Sequence, residues 1–256
     1  MPPTQQTRYC ARLAETPDDI RSAQRLRHLC FIADSGADVT GHRAEGLDAD
    51  PFDERCTHIL IKDTRSDELV CCFRLMALSD GGQIGESYSA QFYELGALAD
   101  YDAPMVEMGR FCIAPGQGHP DILRVAWGAM ARFVDDTGTQ LLFGCSSFQG
   151  CEAEAYLDAF NVLADRYLAP RRWRPRIKAP SVFQFAERLR LRKPDPKRAA
   201  LSMPPLLKSY LAMGGWVSDH AVVDRDMGTL HVFTGLEIAK VPPNRARALR
   251  AIAGLA

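Results

Sequence analysis

The sequence predicts one α/β domain built on a mixed central sheet with helices packed against it. Three observations lead there. Apolar runs of strand length alternate with segments whose apolar residues recur every three or four positions. At 256 residues the chain is long enough to bury a full core without help from metals or disulfides. Its composition, 46% hydrophobic and 25% charged, is ordinary for a globular protein.

The first helix is announced by Thr16-Pro17-Asp18-Asp19: a capping hydroxyl, a proline in the first turn, and acids that suit the helix dipole. Ile20, Ala23, Leu26, Leu29 and Cys30 then give an amphipathic helix of about four turns. Residues 36–55 are polar, with Gly and Asp throughout, and predict a long functional loop. Strands are expected at 58–62 and 68–78, split by a turn at 63–67. A short helix over 91–98 and a third strand over 105–113 follow. The Pro- and Gly-rich stretch 114–120 leads into a helix over 121–134. A fourth strand is expected at 140–148, a helix at about 152–164, another at 204–213 and a closing strand at 229–238.

Several function classes drop out. The formal net charge of −1 gives no global field to recruit nucleic acid. Residues 1–10 lack the basic-then-apolar layout of a signal peptide, and no apolar run approaches the ~18 residues of a membrane span, so a cytoplasmic protein is expected. The eight cysteines form no C-x-x-C, which suits thiols in a reducing compartment. With six scattered histidines and no H-E-x-x-H, no metal is expected.

Chemistry concentrates in the first half. The polar loop ends in Asp50-Pro51-Phe52-Asp53, Arg74 lies in one expected strand, and Glu107-x-x-Arg110 lies in another. The apolar neighbours of Glu107 and Arg110 imply a buried strand, where charges are costly unless paired. Residues three apart on a regular strand face opposite sides, so the two share a cleft only if a bulge intervenes, and Gly109 is placed to permit one. A structural ion-pair network accounts for the same residues equally well.

Arg27-x-x-x-Phe31, Asp50-Pro-Phe-Asp53, Arg74 and Glu107-Met-Gly-Arg110-Phe111 resemble, in order and spacing, the acyl-homoserine-lactone synthases. The second half is similar instead to the ornithine Nα-acyltransferases, which make lyso-ornithine lipid. Glu107 to Ile113, Leu142 to Gly150, and Met203 to Leu211 carry that likeness, which covers residues 20–238. The resemblance implies an acetyltransferase (GNAT)-like core over about 15–165, with a basic segment and C-terminal extension over 166–256 completing the sheet. It implies transfer of a (3-hydroxy)fatty acyl group from acyl carrier protein to the α-amine of ornithine. Glu107 and Arg110 would be catalytic, and Arg74, Asp50, Asp53, Arg27 and Phe31 would bind substrate. Phe111, Ile113, Ser146, Ser147 and Phe148 would hold the acyl-pantetheine arm. No separate cofactor is implied. Residues 114–120 carry glycines but not the [QR]-x-x-G-x-[GA] clamp of coenzyme A-dependent relatives, which fits a donor without a pyrophosphate. Cys112 and Cys145 are read as buried thiols rather than acyl carriers, since no histidine stands beside them in sequence.

Residues 171–198 hold eleven Lys or Arg against two acids in a chain that is slightly negative overall. Arg171, Arg172, Arg174, Arg176 and Lys178 interleave with apolar groups, as a docking patch for an acidic carrier protein would. The same charge attracts anionic lipid, giving a peripheral membrane contact. Competing readings are the same reaction on glutamine, lysine or glycine, an acyl-homoserine-lactone synthase, and a non-catalytic carrier- or membrane-binding module.

Overall fold

A computed structural model of the chain describes residues 7–33 and 45–254. In order, the elements are β1 (Tyr9–Leu13), α1 (Pro17–Phe31), β2 (Thr57–Asp63), β3 (Leu69–Leu78), β4 (Tyr93–Glu94) and β5 (Met105–Ile113). Then come α2 (Pro120–Thr137), β6 (Leu141–Gln149), α3 (Leu157–Arg166), β7 (Arg176–Ile177), β8 (Val182–Phe183), α4 (Phe185–Arg188) and α5 (Pro196–Ser202). The chain closes with α6 (Pro205–Ala212), β9 (Trp216–Val217), β10 (Ala221–Asp224), β11 (Thr229–Glu237) and α7 (Pro243–Ile252). Two compact units alternate along it: Met1–Met76, Gly109–Asp136 and Ala246–Ala256 form one, and Ala77–Met108 with Thr137–Arg245 forms the other. The backbone passes from the first to the second within β3 and returns within β5.

In the first unit the strand order is β1-β2-β3 and then the far half of β5. β1 pairs antiparallel with β2, and β2 with β3 across a register shift at Ile61/Lys62. The start of α1 behaves as its sequence dictates. Thr16 Oγ1 accepts from the Asp19 N–H while the Asp19 carboxylate accepts from the Thr16 N–H, a reciprocal cap with Pro17 in the first turn. Ala23 and Leu26 then pack onto Leu60, Cys72 and Cys112. On α2, Gly128 lets α7 approach, because a Cβ there would stand 2.6 Å from Ile252. Arg250 pairs with Asp135 at 2.7 Å alongside.

In the second unit β6 pairs antiparallel with β11 along nine residues, and β10 and β8 continue outward. The near half of β5 runs parallel to β6 for three pairs, Met105↔Leu141 to Glu107↔Phe143. At the next residue of β6 only glycine fits, since a Cβ on Gly144 would stand 2.3 Å from the Met108 carbonyl oxygen. Phe148, Phe160 and Phe185 fill the core with Leu163, Leu207 and Leu230.

The expected α1, β2, β3, β5, α2, β6, α6 and β11 are present within a residue or three. Residues 91–98 are not a helix: 3-10 turns at Ser89–Gln91 and Gly96–Leu98 flank β4, because Gly96 and the β4–β7 ladder interrupt the apolar period. The helix expected from 152 begins as a 3-10 turn and becomes α3 at Leu157. β1, β8, β10, α4, α5 and α7 are too short or too polar to have been anticipated. Of the expected loop over 36–55, residues 36–44 lie outside the described residues.

Candidate active site

The sequence candidates separate into two clusters, one in each unit. In the first unit three arginines meet three aspartates. Arg27, on the buried face of α1, is 1% exposed. Its Nε donates to Asp48 Oδ2 at 3.0 Å, its Nη1 and Nη2 donate to Asp53 at 2.8 Å each, and Nη2 also bonds the Asp48 carbonyl. Arg74 of β3 grips Asp50 through two parallel bonds of 2.6 and 2.8 Å and reaches Asp53 at 2.7 Å. Its guanidinium lies over the Phe52 ring, 5.5 Å from the centroid. Arg110 of β5 donates to Asp48 at 3.0 Å and to Asp50 at 3.4 Å. Gln24 adds a bond to Asp53 at 2.9 Å. The formal charges cancel, which is the condition for burying so many.

Electrostatics follow the geometry. Burial pushes the Asp50 and Asp53 carboxyls up, but hydrogen bonds and charge from Arg74 and Arg27 respectively outweigh it and hold both below the usual carboxylate range. Burial lowers His58, whose Nε2 sits 3.0 Å from the Asp53 carbonyl. The cluster has an inside and an outside. The Arg27, Asp48 and Arg74 side chains are 1–3% exposed, whereas Arg110 is 11% and Asp50 19% exposed.

The irregularity expected on β5 falls one residue later than Gly109. Arg110 itself adopts φ +53°, the left-handed region that costs a side-chain-bearing residue about 1 kcal/mol. A Cβ on Gly109 would meet only ordinary contacts with Arg74, so that glycine is not what the turn requires. The two bonds from Arg110 to Asp48 and Asp50 hold the strained backbone in place.

Glu107 belongs to the second unit and is buried. Its Oε2 accepts from the Tyr88 N–H at 2.7 Å, and its Oε1 accepts from the Ser89 N–H at 2.7 Å and the Ser89 hydroxyl at 2.5 Å. The carboxylate thus caps the 3-10 turn at Ser89–Gln91. Ser89 Oγ also lies 3.4 Å from Cys145 Sγ, so a half-buried thiol stands at the end of the Glu107–Ser89 pair. Tyr210 is packed nearby, where burial first and the Glu107 charge second push its phenol up.

The remaining candidates sort as follows. Phe31 packs against the α1 core, and Phe111 lies 5.7 Å from Phe73. The Ile113 carbonyl accepts from Cys30 Sγ at 3.4 Å. Ser146 Oγ accepts from Thr234 at 2.9 Å, Ser147 is exposed, and the Phe148 ring is taken up by Phe160 and Tyr156 while its backbone pairs with Leu230 of β11. Cys112 is buried 3.5 Å from Cys72; hydrogen bonding with Cys30 and Cys72, then burial, raises its thiol and makes it a poor nucleophile.

Arg171, Arg174 and Arg176, together with Glu187 and Asp219, line an open cavity of about 480 Å³ in the second unit. Arg172 lies 3.6 Å from Glu237, Arg176 lies 3.8 Å from Glu94, and Lys178 donates to the Ala90 carbonyl at 2.6 Å. Among the described residues no cluster suited to a metal ion occurs, and no helix is long and apolar enough to cross a membrane.

Sequence reasoning missed Asp48, Gln24, His58 and Ser89. Asp48 stands two residues before Asp50 in the same acid-rich run, which was the available signal. Nothing local marks Ser89, whose role depends on a strand eighteen residues on.

The acetyltransferase (GNAT) domain family matches residues 26–128. Over 230 residues, 88% of each chain, the sequence is 31% identical to an L-ornithine N(alpha)-acyltransferase of Rhodobacter capsulatus. It is 30% identical to the protein of that name from Brucella abortus, over 90% of this chain and 84% of the relative. A solved structure of a CoA-dependent acyl-homoserine lactone synthase, BjaI, superposes with a TM-score of 0.50 at 12% identity, covering 93% of this chain and 84% of that one. At that identity the likeness concerns the fold.

Proposed function

The chain belongs to the L-ornithine N(alpha)-acyltransferase family, and we propose that it moves a (3-hydroxy)fatty acyl group from acyl carrier protein onto the α-amine of ornithine, forming lyso-ornithine lipid. It is an N-acyltransferase with a GNAT-type α/β fold. The observation that carries the reading is the ~30% identity to enzymes of that one activity along nearly the whole chain.

The amine nitrogen attacks the thioester carbonyl carbon, a C–N bond forms, and the C–S bond breaks to release the pantetheine thiol. The α-ammonium must first lose a proton. Glu107 is assigned that task, reached through the Ser89 hydroxyl, since the three donors around it suit a carboxylate rather than a carboxylic acid. Arg27, Asp48 and Arg74 are the buried frame that fixes the aspartate loop to α1 and β3. Arg110 and Asp50 are its half-buried members, assigned to the substrate carboxylate and side-chain ammonium respectively. Asp53 and Phe31 support that frame from the loop and α1. The Phe111 and Ile113 backbone and the exposed Ser147 are assigned to the pantetheine arm, with Ser146 and Phe148 holding β6 in shape.

The acidic carrier protein is assigned to the face bearing Arg171, Arg172, Arg174, Arg176 and Lys178, and the second product of this reaction class, an amphiphilic amide, requires access to a bilayer. Steady-state kinetics with matched acyl groups on carrier protein and on coenzyme A test the donor. A kcat/KM at least tenfold higher for the carrier, lost on Arg171→Glu with Arg176→Glu, supports it. Equal use of both donors contradicts it.

A further inference from the structure

The far end of the basic segment differs from the face just assigned to the carrier. Residues 188–201 hold six Lys or Arg against one acid. Two of the large hydrophobic side chains that the described structure leaves exposed also lie here: Leu191 at 91% and Leu201 at 78%. Their exposure is not a frayed end. Asn161 on α3 donates to the Leu189 and Arg192 carbonyls at 2.9 Å each, and Asp158 accepts from Arg192 at 2.9 Å and from the Asp195 N–H at 3.0 Å. The turn that displays Leu191 is therefore fastened to the core.

On α5 the two faces are distinct. Ala199 and Met203, four apart, point into the core with Leu207. Lys197, Arg198 and Leu201 stand at i, i+1 and i+4 and share the opposite, exposed face. The Asp195 carboxylate caps that helix through the Lys197 and Arg198 N–H groups, so the face starts at a fixed point. Protruding aliphatic side chains among cations with flexible stems are the arrangement that an anionic bilayer receives: leucines enter the acyl boundary while ammonium and guanidinium groups stay at headgroup depth. A protein partner would instead need a matching socket for each leucine.

We propose that the α4–α5 segment, through Leu191, Leu201 and the cations beside them, is an interfacial anchor for an anionic lipid surface. It rests on the N-acyltransferase reading only for its purpose, which is to deliver an amphiphilic product to the membrane. Each cation near such a surface raises partitioning roughly fivefold, and each leucine that leaves water raises it roughly tenfold or more.

Full-length protein is sedimented with vesicles of phosphatidylcholine alone or mixed with phosphatidylglycerol, at low and high salt. The expected result is binding to the mixed vesicles only, weakened by salt. Lys197→Glu with Arg198→Glu should cut that binding at least twentyfold, and Leu191→Ser with Leu201→Ser at least tenfold with the salt dependence kept. Acyl transfer in vesicle-free buffer should be unchanged in both variants. Wild-type-like vesicle binding by the variants, or equal binding to neutral vesicles, overturns the proposal. So does a raised KM for the carrier protein with unchanged vesicle binding, which would make this a protein-docking face. An inactive wild type that still binds anionic vesicles would remove the acyltransfer reading and leave the anchor standing.

Discussion

Asp53→Asn isolates the electrostatic frame. The Asp53 carboxylate accepts from Arg27 twice, from Arg74 and from Gln24, at 2.7–2.9 Å. Asparagine has nearly the same shape but no charge, and its NH2 opposes at least one of those donors. Among the described residues Arg27, 1% exposed, would keep only Asp48 as a counter-charge, and their neutral cluster would carry an excess of one positive charge. Breaking a buried pair in this way costs about 3–5 kcal/mol, against a total stability of about 5–15 kcal/mol. For a chain of this size that lowers Tm by about 10 °C. Asp50→Asn should cost only about 1–2 kcal/mol, because Asp50 is partly exposed and Arg74 keeps its bond to Asp53. Urea titrations at pH 7 measure both. A cost below about 1 kcal/mol for Asp53→Asn, or equal costs for the two, would refute the frame. Both carboxyls are depressed in the folded state, so their stabilisation is full above the unfolded value of about 3.9 and is lost as pH falls through the folded value.

Glu107→Gln should lower kcat by about 10²–10⁴-fold with folding intact, and wild-type turnover would remove it from proton transfer. Ser89→Ala, which removes both a donor to that carboxylate and the hydroxyl through which it is reached, should lower kcat and move the acid limb of the kcat/KM profile up by about one pH unit, with Ser89→Thr restoring both; unchanged kcat with an unmoved limb makes Ser89 merely structural. Burial first, then His220, pushes His231 down to about 4, so it folds neutral. Its contribution, about 3 kcal/mol, is present above pH 6.5 and lost as pH falls from 6.5 to 4; His231→Gln should flatten that part of the stability curve, and an unchanged slope contradicts it. Gly144→Ala should destabilise by about 2 kcal/mol or more, since its Cβ would strike backbone rather than a movable side chain; a neutral result means that β5 and β6 can part.

Long periodic elements were legible because one local rule determines each of them. Thr16 to Cys30 carries cap, proline and period together, and β6 opens on the apolar run Leu141-Leu142-Phe143. Residues 91–98 misled because Gln91 to Leu98 has helical apolar spacing, while the β4–β7 ladder that overrides it comes from eighty residues away. At the site, Arg110 was legible as a costly charge in an apolar strand, and Arg27, Asp50, Asp53 and Arg74 through their resemblance to the acyl-homoserine-lactone synthases. Their pairing was not, because Asp48 and the positive φ of Arg110 depend on how α1, β3 and β5 meet. Glu107 was visible as a residue but not as a cap on Ser89. Nothing local marks Leu191 as exposed, because the turn that displays it is held by Asn161 and Asp158 of α3.

The most direct measurement is mass spectrometry of products formed by the purified protein from 3-hydroxyacyl carrier protein and an equimolar pool of amino acids with S-adenosylmethionine present. A single product, ornithine acylated on its α-nitrogen, is predicted. A homoserine lactone, acylation of a different amino acid, or no product from folded protein that still binds the carrier would contradict the account.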